Sequence, residues 1–219
     1  MKLLDKIKDS SAFALYPVRC PYCDRVIEKN EVACRSCAEQ FPDHCITRAV
    51  VGGLACAAAF PYRGSYAGAV RRLKFSNRAD YARPLAVQTV HAILEISEDM
   101  SFDLITCVPM HVKDIRIRGY NQAELLAREC AAVMKLPYVE TLEKFKRNRP
   151  QHETKAKDRG KNVRGVFRPT DCALFRNKHV LIIDDIITTG NTLGECARML
   201  FLGGCREISC AAVCATSAW

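Results

Sequence analysis

The chain has 219 residues, 49% hydrophobic and 26% charged, with a formal net charge of +9. That length suits one α/β domain with a small appendage, and the apolar share is enough to bury a real core. The longest weakly polar stretch, VVGGLACAAAFPY, is short and broken by glycine and proline, so a membrane-spanning class is excluded and a cytoplasmic protein is expected.

MKLLDKIKDS, at the start, alternates charge with leucine like a short amphipathic helix; it lacks the apolar block and cleavage site of a signal peptide. RCPYCDRVIEKNEVACRSCAEQ then carries a C-x2-C-x10-C-x2-C pattern at Cys20, Cys23, Cys34 and Cys37. Two-residue spacing turns both thiolates of a knuckle toward one tetrahedral ion, and the intervening hairpin returns the second knuckle to it. A redox CxxC is the rival reading, and the second matched pair favours metal. Four thiolates leave no open coordination position, so Zn2+ is expected in a structural role, with His44 and Cys45 as bystanders. Residues 1–48 are expected to form a zinc-binding, zinc-ribbon-like module and residues 49–219 the main domain. The thirteen cysteines are odd in number, and Cys107, Cys130, Cys196, Cys210 and Cys214 lie singly in apolar segments, as small buried hydrophobes do.

From Tyr66, apolar residues recur at helical spacing through YAGAVRRLKF and RPLAVQTVHAILEI. DLITCVPM has the pattern of a buried strand, and NQAELLARECAAVMKL that of a helix capped by Asn121. LPYVETLEKF predicts a second, weaker strand. Residues 144–164 hold nine Lys or Arg against two acids, without periodicity, and are expected to be a mobile loop suited to a polyanionic partner. HVLIIDD is the clearest strand, NTLGECARMLFLGG a helix closed by paired glycines, and EISCAAVCAT a final strand. Strands alternating with helices predict a parallel sheet flanked by helices, with ligands beyond the carboxyl ends of the strands.

Asp184 and Asp185 fall there. After them the chain turns through Thr188, Thr189 and Gly190 and enters a helix near Asn191 or Thr192. A helix start offers unpaired N–H groups and the positive end of its dipole to a phosphate monoester. Gly190 allows close backbone approach, the threonine hydroxyls add donors, and the carboxylates can accept from vicinal ribose hydroxyls. No GxxxxGK[ST] or GxGxxG is present, and a strand ending in acids that merely cap a turn is the bland alternative.

With DDIITTGNT, the paired CxxC motifs, LKF at 73–75, and VPM followed by RGYNQ at 118–122, the chain resembles the ComF family. That family joins a zinc-binding N-terminus to a type I phosphoribosyltransferase-like domain. Tyr120 stands where the family often has phenylalanine, and Thr154 where an aliphatic residue is more usual. The resemblance implies that Asp184 and Asp185 hold ribose hydroxyls and that Thr188, Thr189, Gly190, Asn191 and Thr192 cradle the 5′-phosphate of phosphoribosyl pyrophosphate. Arg118 and Gly119 would belong to a pyrophosphate loop between strand and helix, with Lys74 a further phosphate ligand. Gln151, Arg159 and Asn162 would close over the ligand from the basic loop. Mg2+ would bridge pyrophosphate and ribose oxygens without a dedicated protein cage.

Two functions follow from the resemblance. One is transfer of phosphoribose to an acceptor that the sequence does not name, with no residue standing out as a general base. The other is a non-catalytic competence factor that binds single-stranded DNA and works with the DNA-uptake machinery. Only Phe145 and Phe167 flank the basic segment as stacking surfaces, which weakens a base-reading platform.

Overall fold

The computed structural model describes residues 17–97, 101–147 and 163–216. In chain order these form α1 (Arg35–Ala38), β1 (Ile46–Val50), β2 (Leu54–Pro61), α2 (Gly64–Phe75), α3 (Ala82–Ile96), β3 (Leu104–Cys107), α4 (Val112–Arg118) and α5 (Gln122–Met134). β4 (Leu142–Lys144), β5 (Phe167–Pro169), β6 (His179–Ile187), α6 (Asn191–Leu202) and β7 (Glu207–Ala215) follow. The main sheet runs β1-β2-β7-β6-β3, parallel throughout except for the antiparallel edge hairpin β1–β2. No described helix is long and apolar enough to cross a membrane.

Strands β3 and β6 are buried on both faces, which explains their continuous apolar runs; Leu104, Ile105, Leu181, Ile182 and Ile183 are almost fully covered. Between β2 and β7 the sheet is lined with small residues, Ala57 and Ala58 pairing with Ala211 and Ala212. Alanine is depleted in strands, so LACAAAFP carries no strand signal of its own; its place in the sheet comes from pairing with β7. The boundary expected at residue 48 falls inside β1, whose ladder to β2 runs from Ile46.

The second strand expected in LPYVETLEKF is not in the main sheet. Pro137 and Val139 make one bridge's worth of backbone bonds with Ile105, and Leu142–Lys144 pairs instead with Phe167–Pro169 in a separate antiparallel ribbon. Asn121 caps α5 as expected, its side chain accepting from the Ala123 amide. The five single cysteines are free thiols in the core. The N-terminal amphipathic segment lies outside the described residues.

Candidate functional site

β6 does not stop at its acids. β7 offers partners as far as Ala215, so the ladder continues through Ile186 and Ile187. Side chains alternate across a strand, and the two carboxylates part company accordingly. Asp184 lines a small pocket with Thr188, Gly190, Asn191 and Thr192. Asp185, buried, turns to the other face, where its Oδ2 lies 2.8 Å from Nζ of Lys74 on α2. A backbone bond stitches the pair together: the Asp185 amide donates to Asp184 Oδ1 at 2.8 Å. Burial, and then the neighbouring Asp185 carboxylate, push Asp184 up to about 7.

The turn after β6 is shaped by contact with the edge hairpin. Gly190 sits at φ 71°, and a Cβ there would lie 3.0 Å from Ala49 O and Val50 Cα. Gly194, one turn into α6, packs so closely that a Cβ would meet Val51 O at 2.6 Å. No side chain caps α6, and its intrahelical bonding begins with the Gly194 amide donating to Gly190 O at 2.8 Å. The amides of Asn191, Thr192 and Leu193 are therefore the helix's orphan donors, beside Asp184. Thr188 and Thr189 are exposed, and Arg48 of β1 donates to Thr188 O at 3.3 Å.

The stretch after VPM is not an open loop. His111 caps α4, and Gly119 at φ 90° ends it. VKDIRIR has apolar residues at only three of seven positions, two of them exposed, so periodicity did not reveal this helix. Arg118, in its last turn, donates to Gln122 Oε1 at 2.9 Å and lies 5.4 Å from the Phe75 ring centroid. Tyr120 donates to Leu73 O at 2.5 Å, which ties residues 118–120 to the end of α2 beside Lys74. Residues 118–120 are thus fixed at the end of α2, whose Lys74 is close enough to Asp184 to oppose the rise of its carboxyl.

Lys144 also belongs to this neighbourhood and was hidden within the basic run. Burial lowers its ammonium below the usual lysine range, and Asp114 and Asp184 are among the groups that oppose that fall. It lines a cleft of about 290 Å³ with Met110, His111, Tyr138 and Glu140. Gln151, Arg159 and Asn162 lie outside the described residues, as does Thr154.

The four paired cysteines converge. Their sulfurs all lie within 4.8 Å of one another, and Cys23 and Cys34 are 3.5 Å apart. Four Zn–S bonds of ~2.3 Å in a tetrahedron place sulfurs ~3.8 Å apart, so this donor set fits zinc. The Ser36 hydroxyl, 3.4 Å from Cys34 Sγ, pulls that thiol down to about 6, whereas burial pushes the neighbouring Cys23 and Cys37 thiols up, so a bound cation would have to draw these two into the thiolate form. Backbone bonds shape both knuckles: the Asp24 amide reaches Cys20 O at 2.8 Å, and the Cys37 amide reaches Cys34 O at 3.0 Å. His44 is instead bonded to Glu95.

Residues 120–218 match the model of the phosphoribosyl transferase domain. A DNA utilization protein YhgH from Salmonella typhi is 28% identical over 151 residues, 67% of this chain and 66% of that protein. Competence protein F from Haemophilus influenzae is 32% identical over 148 residues, 64% of this chain and 63% of the relative. The chain is thus similar to a phosphoribosyl transferase domain over residues 120–218 and, more widely, to ComF-like competence proteins. The matched region spans just under two thirds of the length of both relatives. Among solved structures, the allosteric regulatory enzyme of purine biosynthesis aligns at 20% identity and a TM-score of 0.42, covering 64% of this chain and 29% of that one.

Proposed function

We propose that the ComF-like domain binds phosphoribosyl pyrophosphate, or a related sugar phosphate, with Mg2+ and transfers the phosphoribosyl group to an acceptor. The carrying observation is that α6 opens at Gly190 with uncapped amides in the same pocket as the Asp184 carboxylate. A 5′-phosphate placed on the Asn191–Leu193 amides gains charge-assisted hydrogen bonds and the favourable end of the helix dipole. A pentose attached to it lies against β6, where Asp184 accepts from its hydroxyls. Lys74 and Arg118 then face the pyrophosphate end, where negative charge gathers as the C1–O bond breaks. Mg2+, when bound, neutralises phosphate charge while keeping much of its water shell. The four cysteines are assigned to a structural Zn2+ with no part in this chemistry.

Titration calorimetry with phosphoribosyl pyrophosphate, with and without Mg2+, tests the reading. Binding is expected to need Mg2+ and to weaken at least about tenfold in Asp184→Asn, or ~1.4 kcal/mol. Release of pyrophosphate on adding nucleobases or amines would identify the acceptor class. No binding to the wild-type protein rejects the proposal.

A second reading, a competence factor acting on single-stranded DNA, is supported by the relatives' names and by the basic excess of residues 144–164. It predicts DNA binding that survives Asp184→Asn and falls steeply with salt.

A further inference from the structure

Helix α2 touches the cysteine module through Arg72 and the acid pair of β6 through Lys74, which pairs with Asp185 next to the proposed site, and it does so from opposite sides. Arg72 Nη2 donates to Pro21 O at 2.6 Å and to Tyr22 O at 3.0 Å. Pro21 and Tyr22 are the two residues between Cys20 and Cys23, so the guanidinium grips the back of a metal knuckle. Two positions along, Lys74 reaches Asp185 at 2.8 Å. Residues i and i+2 of a helix do not share a face, so one helix is clamped between module and sheet.

Other contacts reinforce the clamp. Tyr66 of α2 stacks on Phe60 with centroids 4.4 Å apart and donates to Gln40 O. Tyr22 meets both rings edge-on, at 5.6 and 5.9 Å. In the short turn after α2, Tyr81 and Arg78 both donate to Asp24, the residue that follows Cys23. The Pro21 and Tyr22 carbonyls lie on the short link between Cys20 and Cys23, two of the four clustered sulfurs. A metal that closes this knuckle also fixes the acceptors of Arg72.

We infer that Arg72 is a positioning residue through which metal in the cysteine module raises the affinity of the Lys74–Asp185 side for a phosphorylated sugar. The inference rests on the proposed phosphoribosyl pyrophosphate site. Because linkage is reciprocal, ligand must in turn raise the affinity of the module for metal by the same factor. A rise of 1.5 Å per residue puts Arg72 and Lys74 only ~3 Å apart along the axis, so loss of one anchor is felt at once by the other.

The test uses the full zinc-loaded chain. Transfer of zinc to a zinc-selective chromogenic chelator is followed with and without saturating phosphoribosyl pyrophosphate and Mg2+. In the wild type, ligand is expected to lower the equilibrium zinc release at least about fivefold. In Arg72→Met, which keeps the aliphatic stem, zinc content and circular dichroism are expected to stay as in wild type. Ligand is then expected to shift zinc release by less than about twofold, whereas a merely structural arginine would leave the linkage intact. Tight ligand binding with no effect on zinc release overturns the inference and leaves the proposed function standing, as does full linkage in Arg72→Met. Absence of any ligand binding to the loaded wild type overturns both. Should Arg72→Met fail to fold, Arg72→Lys, which keeps the charge but not the guanidinium that spans both carbonyls, is read in the same way: full linkage in it overturns the inference, and linkage below about twofold supports it.

Discussion

Asp184 carries an unusual burden for a carboxyl group. With a folded value of about 7 against an ordinary 3.8, the native state holds a proton that the unfolded chain has already lost between those values. The sign follows: stability from this group is present on the acid side and is lost as pH rises from about 4 to 7. Asp184→Asn removes the loss, so the variant should melt close to wild type near pH 3.5, below the unfolded value, and higher above pH 7. The gain is at most ~4 kcal/mol, from about three pH units at ~1.4 kcal/mol each, and is read by thermal melts from pH 3.5 to 8. The same substitution should cost sugar-phosphate affinity, because the ionised carboxylate is the better hydroxyl acceptor. A side chain that destabilises the empty protein and improves the liganded one is what a binding role predicts. On the other face, the Lys74 ammonium lies 2.8 Å from Asp185; among the described residues no cation stands that close to Asp184.

At the scale of elements, the mouth of α6 is held open by an edge hairpin that contributes no acidic or phosphate-binding signature. The turn after β1 presses Val51 O toward Gly194, and the end of β1 crosses close to Gly190. Gly194→Ala places a methyl 2.6 Å from a backbone carbonyl, a clash no rotamer can relieve. Alanine recovers up to ~1 kcal/mol of helix propensity, while the overpacking costs ~1–3 kcal/mol. The expected net effect is a loss of about 1–2 kcal/mol by denaturant unfolding, with weaker sugar-phosphate binding as the hairpin is pushed from the nest. An unchanged midpoint would show that the hairpin is looser than its packing implies. α4 acts in the same indirect way: its C-terminal turn brings Arg118 to the Phe75 ring and Gln122, and Tyr120 then fastens the segment to α2.

For the whole molecule, the cysteine module is built into the main core. Tyr22 is buried among Phe41, Phe60 and Tyr66, and Cys20 and Cys34 are buried in the same apolar cluster. Metal ligation is folding free energy in so small a module, whose helix among the described residues has only four residues. Removal of zinc by a chelator is therefore expected to lower Tm by at least about 5 °C. Hydrogen exchange should speed up first in residues 17–45 and in α2, with β3, β6 and β7 changing least. Uniform loss of protection across the sheet would mean that the module and the domain unfold as one unit.

The local chemistry was legible in the sequence because it is carried by neighbours in the chain. The CxxC spacing, the Asn121 cap, the acids of β6 and the Thr-Thr-Gly turn each need only a few consecutive residues to declare themselves. What the chain order could not show is pairing across distance. The alanine-rich β2 is a strand because β7 completes it, Asp185 meets Lys74 from a helix over a hundred residues earlier, and Lys144, paired with Phe167, lines a cleft with His111 and Ile115 of the preceding segment. Periodicity reports which face of an element is apolar. Only the folded sheet decides which charged groups meet across it, because burial and ion pairing depend on distances that sequence separation does not encode.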